Sequence, residues 1–392
     1  MRTECVNCNN NYAIASKQMS KPVLFSFFSG SGFLDLGFEL NGFDVQFVNE
    51  NHEPFVRAYQ YSRECLGISS PKLGVDNSDI NDLIYGDAEQ SLKSKFDKAR
   101  KSHNLIGFIG GPPCPDFSVG GKNRGHEGDN GKLTKTYVDG ITKFNPDFFI
   151  FENVKGLWRT KRHREFYDQM KDKLSESGYI LADRLTNSLE YGVPQDRDRI
   201  ILIGVKSSLF KSNSAETLYE ALNWESFINY DSTKIKKSEL WPESDEYAEN
   251  SKLPCPKRLE HLKRLTVEHW FIKNDVENHP NARHHFVPRA ALIRFKSIKE
   301  GDVSKKSFKR LHRWRYSPTA AYGNNEVHIH PYKSRRISAA EALAIQSLPK
   351  EFELPGDMSL SNMFKTIGNG VPYLLSEGIA KMLYIFLMRK QT

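Results

Sequence analysis

Between Lys21 and about Val205 the apolar residues come in short runs separated by helix-length stretches, and this rhythm limits the fold more than any other feature of the chain. Val23 to Phe28, Val45 to Val48, Leu105 to Ile109, Phe148 to Phe151 and Ile200 to Val205 read as buried strands. Between them, Phe33 to Leu40, Pro54 to Cys65, Thr134 to Phe144 and Arg164 to Ser177 have the spacing of helices that cover one sheet face. The alternation predicts a doubly wound α/β sheet. After Lys206 the rhythm breaks, and the region to about Ser334 is richer in charge, histidine and proline. Helical pattern returns in Ser338 to Gln346 and again from Val371. The expected organisation is therefore a leader over 1–20, one domain built from 21–205 plus 335–392, and a smaller domain over 206–334 inserted into it.

Charge narrows the partners. A net charge of +8 and a pI near 9.0 favour an anionic ligand. Between Arg283 and Arg315 eleven Lys and Arg residues face only Glu300 and Asp302. Phe295, Phe308, Trp314, Tyr316 and the histidines His284, His285, His312 and His328 lie in or beside this segment, a mixture suited to gripping phosphates and stacking on bases. The competing reading is a solvated basic face. Five scattered cysteines, Cys5, Cys8, Cys65, Cys114 and Cys255, argue against a disulfide framework and for a reducing, cytoplasmic setting. Cys5 and Cys8 lack a second CxxC pair or a nearby histidine, so no metal is expected. No membrane association is expected either: the apolar stretch Val371 to Met388 carries Glu377 and Lys381 and reads as a buried or amphipathic terminal helix.

Three local patterns carry chemistry. The first strand runs into Phe28-Ser29-Gly30-Ser31-Gly32, a GxG turn delivering the chain into a helix, as in nucleotide sites. The next glycine, Gly37, falls two positions late for a dinucleotide fingerprint, so a smaller adenosine ligand fits better than a pyrophosphate. Glu50 closes the second strand where a carboxylate can accept from both ribose hydroxyls, and Asp79 with Ile80 can meet an adenine edge and face. Gly110-Gly111-Pro112-Pro113-Cys114 mounts one thiol on a proline-walled turn after a strand. Glu152, at the end of the next strand, puts a carboxylate on the same sheet edge as Cys114. Alternation in Gln195 to Arg199 sends Gln195, Arg197 and Arg199 to one face. Cys255 also sits between prolines, but it lacks the preceding strand and glycines.

Taken in order, these blocks resemble the DNA cytosine-5 methyltransferases. Forms FxGxG, PPC, ENV, QxRxR, RxLTxxE and GNxV occur as Phe28 to Gly32, Pro112 to Cys114, Glu152 to Val154, Gln195 to Arg199, Arg335 to Glu341 and Gly368 to Val371. The resemblance implies a class I S-adenosylmethionine-dependent methyltransferase fold, a Rossmann-like mixed sheet with an inserted target-recognition domain. It implies that Cys114 is the nucleophile toward carbon 6 of a flipped-out cytosine, that Glu152 relieves charge at ring nitrogen 3, that Arg199 holds the ring carbonyl and that Arg197 organises the nearby site or backbone. For S-adenosylmethionine it implies Phe28, Gly30, Ser31, Gly32, Glu50, Asn51, Asp79, Ile80, Pro113, Leu133, Asn369 and Gly370. For duplex DNA the candidates are Ser118, Arg283, Arg289, Arg313 and Arg315. A monomer is expected, paired in a bacterium with a cognate restriction endonuclease. The chain departs from the family pattern at Pro115 and Asp116, where a glutamine usually follows the cysteine, at Ser338 in place of threonine, and at Lys365, Thr366 and Gly370. Two alternatives remain open at this point: the same chemistry on a tRNA cytosine, and a silent DNA-binding subunit.

Overall fold

Seven strands, β1 (Val23–Phe27), β2 (Asp44–Asn49), β3 (Val75–Asp76), β4 (Ile106–Gly110), β5 (Phe148–Val154), β6 (Tyr179–Asn187) and β7 (Asp198–Lys206), form one sheet in the order β3-β2-β1-β4-β5-β7-β6. These come from a computed structural model that describes residues 21–102, 104–113, 129–210, 217–288, 292–320, 322 and 326–389. Strands β1 to β5 pair in parallel, while β7 runs antiparallel to both β5 and β6. Every residue of β1 and β4 is buried, as unbroken apolar runs must be when helices cover both faces. Strand order reverses between β1 and β4, which opens a crevice beyond their carboxyl ends.

The helices of the sheet domain are α1 (Phe33–Glu39), α2 (Glu53–Cys65), α3 (Ile80–Tyr85), α4 (Glu89–Arg100), α5 (Asp129–Phe144), α6 (Gly156–Arg159) and α7 (Lys161–Glu176). Four short helices follow in the inserted region: α8 (Leu218–Leu222), α9 (Ser232–Lys237), α10 (Val267–Lys273) and α11 (Leu292–Lys296). The chain then returns through α12 (Ala339–Ile345), α13 (Leu360–Asn369) and α14 (Tyr373–Arg389). One sheet face is covered by α1 and α14, whose Leu34, Phe38, Leu375, Ile379 and Leu383 pack on Leu24, Val45, Ile109, Ile150 and Ile203. Helices α3, α4, α5 and α7 cover the other, with Leu83, Phe96, Tyr137, Ile141 and Tyr167 against Phe25, Phe108, Phe149 and Leu202. The stretch Leu360–Arg389 is apolar and long enough by composition to cross a bilayer. It is two helices broken at Gly370 and Pro372, and the second is a buried layer of this core.

The expected strands and helices are present with shifted ends. Strand β6 has no counterpart among the expected elements because Asp183 and Arg184 interrupt its apolar pattern; they sit on a sheet-edge strand and are answered by Lys171 at 2.9 Å and by Glu190. The inserted region, among its described residues, has no strand pairing beyond isolated bridges. Buried arginines hold it together instead. Arg310, fully buried, donates to the carbonyls of Ile298, Phe295, His330, Pro331 and Lys333. Arg313 pairs with Glu300 at 2.8 Å and with Ser251 Oγ at 2.7 Å. Part of the basic segment therefore holds the fold internally, where the sequence pattern points outward.

Helix α1 crosses α14 at Gly37, where a β-carbon would lie 2.7 Å from the backbone nitrogen of Glu377. Gly37→Ala should cost about 1–3 kcal/mol in a urea titration, as overpacking does. Gly356→Ala, with open space around it, should stay within about 0.5 kcal/mol.

Candidate active site

The crevice beyond β1 is shaped by a turn that ordinary side chains tolerate poorly. Phe28, Gly30 and Gly32 have φ of 54°, 56° and 78°. This conformation points the Gly30 N–H at Glu50 Oε2 (2.9 Å), while the His52 N–H meets Oε1 (2.9 Å). Glu50 is thus a carboxylate fixed by two backbone donors at the end of β2. Burial holds its pKa above the ordinary carboxylate value, against the opposing effect of those two donors. Above Gly30 the site is roomy: a β-carbon on that residue would meet nothing closer than Thr366 Oγ1, at 3.8 Å. Ser29 Oγ is buried and finds no hydrogen-bond partner among the described residues.

The other walls of this pocket come from distant segments. Asn49 Nδ2 donates to the carbonyls of Asp76 (3.2 Å) and Ser78 (2.9 Å), holding the chain that leads into α3. Asp79 is exposed and caps α3 by accepting from the Asn81 N–H at 2.7 Å, and Ile80 beside it is buried. Leu133 is half-buried on α5. From the carboxyl-terminal side, Thr366 and Ser31 share a hydrogen bond of 2.7 Å between buried hydroxyls. Gly370 ends α13 flush against the Phe33 ring, where a β-carbon would lie 2.8 Å from Cε2. Asn51 and Asn369 are exposed at the rim, and Pro113 is half-buried.

At the adjoining strand ends, Glu152 and Arg199 meet. In the β5–β7 register Val154 lies opposite Arg199, and Glu152, two residues back, shares the same face. Glu152 Oε1 lies 2.7 Å from Arg199 Nε, with both side chains about nine-tenths buried. Gly111 makes room for this acid: a β-carbon there would be 2.6 Å from Glu152 Oε2. The proline turn that leads to Cys114 thus begins against the carboxylate. Cys114, like Ser118, Arg289 and the leader with Cys5 and Cys8, lies outside the described residues.

Gln195 and Arg197 point to the same side as Arg199 yet do different work. Arg197 is buried and donates to the carbonyls of Gly368 (2.9 Å), Asn369 (3.3 Å) and Ala320 (3.4 Å). Burial, together with Arg199 nearby, lowers its pKa from the ordinary guanidinium value. The Gln195 amide donates to Gln346 Oε1 at 3.1 Å and accepts the Ala320 N–H at 3.0 Å. Ser317 to Ala320 therefore run along the crevice wall, although they fall inside the expected inserted region.

The DNA candidates separate by exposure. Arg283 is exposed, and Arg315 is half-buried with its guanidinium 5.3 Å from the Tyr316 ring centroid. Arg313, by contrast, is only 2% exposed, and its guanidinium faces inward onto Glu300. Residues that the sequence motifs do not single out lie beneath the glycine turn. Asp35 is fully buried, accepts from Ser26 Oγ at 2.8 Å, and neighbours Arg63, Glu39 and Tyr59. A signal for Arg63 exists, since it sits four residues after Tyr59 on the apolar face of α2.

A sheet of this order, with its glycine turn opposite a strand-end carboxylate, is the architecture of the class I S-adenosylmethionine-dependent methyltransferases. The family described as C-5 cytosine-specific DNA methylase matches residues 23–384, and the chain belongs to it. It is 54% identical over 381 residues to Type II methyltransferase M.NmeDI of Neisseria meningitidis serogroup C, covering 97% of this chain and 87% of that protein. It is 28% identical to Type II methyltransferase M.FnuDI of Fusobacterium nucleatum, covering 94% and 96%. Among solved structures, a prophage-encoded DNA modification methyltransferase of E. coli superposes with a TM-score of 0.56 at 21% identity, covering 94% of this chain and 99% of that one. A DNMT2 mutant of Spodoptera frugiperda gives 0.54 at 16% identity, covering 93% and 99%. At these identities the structures speak to the fold alone. The reaction class is methylation of cytosine in DNA, and the family and fold imply S-adenosylmethionine as donor. The pocket fits that donor: a fixed carboxylate for a diol, a buried hydroxyl without a partner among the described residues, and open space over a positive-φ glycine.

Burial raises the pKa of Asp35 to about 7, against the opposing pull of Arg63. From about pH 4 to 7 the folded protein keeps a proton that the unfolded chain has released. The associated stability is complete below about pH 4 and is lost as pH rises through about 7. Asp35→Asn should flatten this decline, which thermal melts at pH 4.5, 6 and 7.5 will show.

Proposed function

We propose that this chain methylates carbon 5 of a flipped-out cytosine within a specific duplex DNA sequence, with Cys114 as covalent nucleophile. The observation that carries the proposal is the Glu152–Arg199 pair packed against Gly111, because it sets an acid and a cation beside the turn that leads to Cys114. The Cys114 thiolate adds to carbon 6, and the electron pair of the 5,6 double bond moves into the ring. Glu152 meets the developing charge by holding a proton at ring nitrogen 3, and Arg199 donates to the ring carbonyl oxygen. The resulting enamine makes carbon 5 nucleophilic. After methylation, solvent base removes the carbon 5 proton, the double bond re-forms, and Cys114 leaves as thiolate.

S-adenosylmethionine supplies an electrophilic methyl group when bound. Phe28, Gly30, Ser31 and Gly32 would form its floor, Glu50 with Asn51 would receive the ribose, and Asp79 with Ile80 would border the adenine. Pro113, Leu133, Asn369 and Gly370 would complete the wall. Arg197 acts as a clamp on the backbone around the site and makes no contact with the base. The region 206–334 serves as target-recognition domain, with Ser118, Arg283, Arg289 and Arg315 toward DNA. The Type II names of the relatives support a cognate restriction endonuclease as the biological partner.

The test is incorporation of labelled methyl into mixed-sequence duplex DNA and, in parallel, into tRNA. Wild type should label DNA, with modified cytosines in one sequence context. Cys114→Ala should fall to background with cofactor binding intact, and retained incorporation would remove Cys114 from its role. Labelling of tRNA alone would replace the DNA reading. Gly111→Ala, which pushes on the Glu152 carboxylate, should lower kcat about 100-fold, the cost of misplacing a reacting group by about an ångström.

A further inference from the structure

We infer that Arg63 is a positioning residue for the cofactor: its guanidinium sets the peptide planes of the glycine turn from beneath, and so governs cofactor affinity rather than the rate of methyl transfer. The inference rests on the proposal that this turn receives S-adenosylmethionine.

Arg63 projects from the last turn of α2 with 2% of its surface exposed. One arm of the fork, Nη1, donates to the Ser31 carbonyl at 3.2 Å; the other, Nη2, donates to the Gly32 carbonyl at 2.7 Å and to Glu39 Oε2 at 2.8 Å. The guanidinium carbon lies 4.1 Å from the Tyr59 ring centroid. Gly32 has φ of 78°, and a β-carbon on it would fall 2.6 Å from Arg63 Cζ, so the fork lies flush under the turn. Two successive carbonyls aimed at one side repel each other, and a planar cation with donors in fixed directions offsets that repulsion.

The grip is transmitted upward through the backbone of the turn. A trans peptide links the orientation of the Ser31 carbonyl to that of the Gly32 N–H, which donates to the Ser29 carbonyl at 2.8 Å. The Ser29 N–H in turn donates to the Asn49 carbonyl at 3.2 Å, and the neighbouring Gly30 N–H meets Glu50. Arg63 is thereby connected to the carboxylate expected to hold the ribose. Its charge is answered locally by Glu39, with Asp35 and the Tyr59 hydroxyl also facing it. A guanidinium buried to this degree persists only with such partners. A purely structural filler for the position would be an apolar side chain.

The experiment uses the full chain without DNA and measures binding of S-adenosylhomocysteine by calorimetry, followed by steady-state kinetics. Arg63→Met keeps the bulk and removes the donors. It should weaken binding at least tenfold and raise KM for S-adenosylmethionine in proportion, with kcat at saturation within twofold of wild type. Arg63→Lys retains the charge and should recover part of the loss, binding about threefold more weakly than wild type. Binding by Arg63→Met within twofold of wild type, or a fall in kcat with KM unchanged, would overturn the inference. Should Arg63→Met fail to fold by circular dichroism, Arg63→Lys decides: wild-type affinity refutes the role, and weakened affinity with unchanged kcat supports it. Absence of binding by wild type would count against the cofactor proposal itself.

Discussion

The buried guanidinium of Arg197 joins parts of the chain that sequence keeps far apart. Through the carbonyls of Ala320, Gly368 and Asn369 it holds the start of β7 against the segment returning from the inserted region and against the end of α13. The Gln195–Gln346 amide pair runs alongside, with Gln346 donating onward to the Ile367 carbonyl. The Ala320, Gln346 and Ile367 contacts are buried, so losing one of them would leave a polar group without water to replace its partner. The crevice is a joint between segments, and this polar seam ties its walls together.

On that seam the two halves of the site are arranged differently. The half proposed for the cofactor is made largely of backbone: the N–H groups of positive-φ Gly30 and of His52 meet Glu50, and α13 closes the side through Thr366 and Gly370. The half proposed for the reaction is made of side chains, with Glu152 and Arg199 brought together by the antiparallel pairing of β5 and β7. A parallel β7 would have turned the QxRxR block to the opposite end of the sheet. The one antiparallel insertion in an otherwise parallel run is therefore what allows an acid and an arginine from separate strands to share a pocket.

Much of this is legible in the residues. Buried strands such as β1 and β4 announce themselves as continuous apolar runs, and the glycine turn, the proline turn and the Glu152 block lie at their ends where chemistry would need them. The edge strand that the sequence conceals lacks a clean apolar signal: β6 is interrupted by charges that Lys171 and Glu190 neutralise. The basic segment misleads for a related reason. Arg310 and Arg313 look like any surface arginines in sequence, and only their carbonyl and Glu300 partners, contributed by other parts of the inserted region, show that they face inward.

The amino-acid sequence by itself determined the sheet rhythm, the order of the motif blocks and the residue types available for chemistry, because these depend on local spacing and on side-chain identity. Tertiary structure alone decided which charges are internal and which atoms meet. Whether Arg313 reaches solvent, which carbonyls Arg197 meets, and whether Arg63 lies under the glycine turn all depend on burial and on partners 13 to 172 residues away. Electrostatic pairing and desolvation act through space, and no pattern along the chain encodes that distance directly.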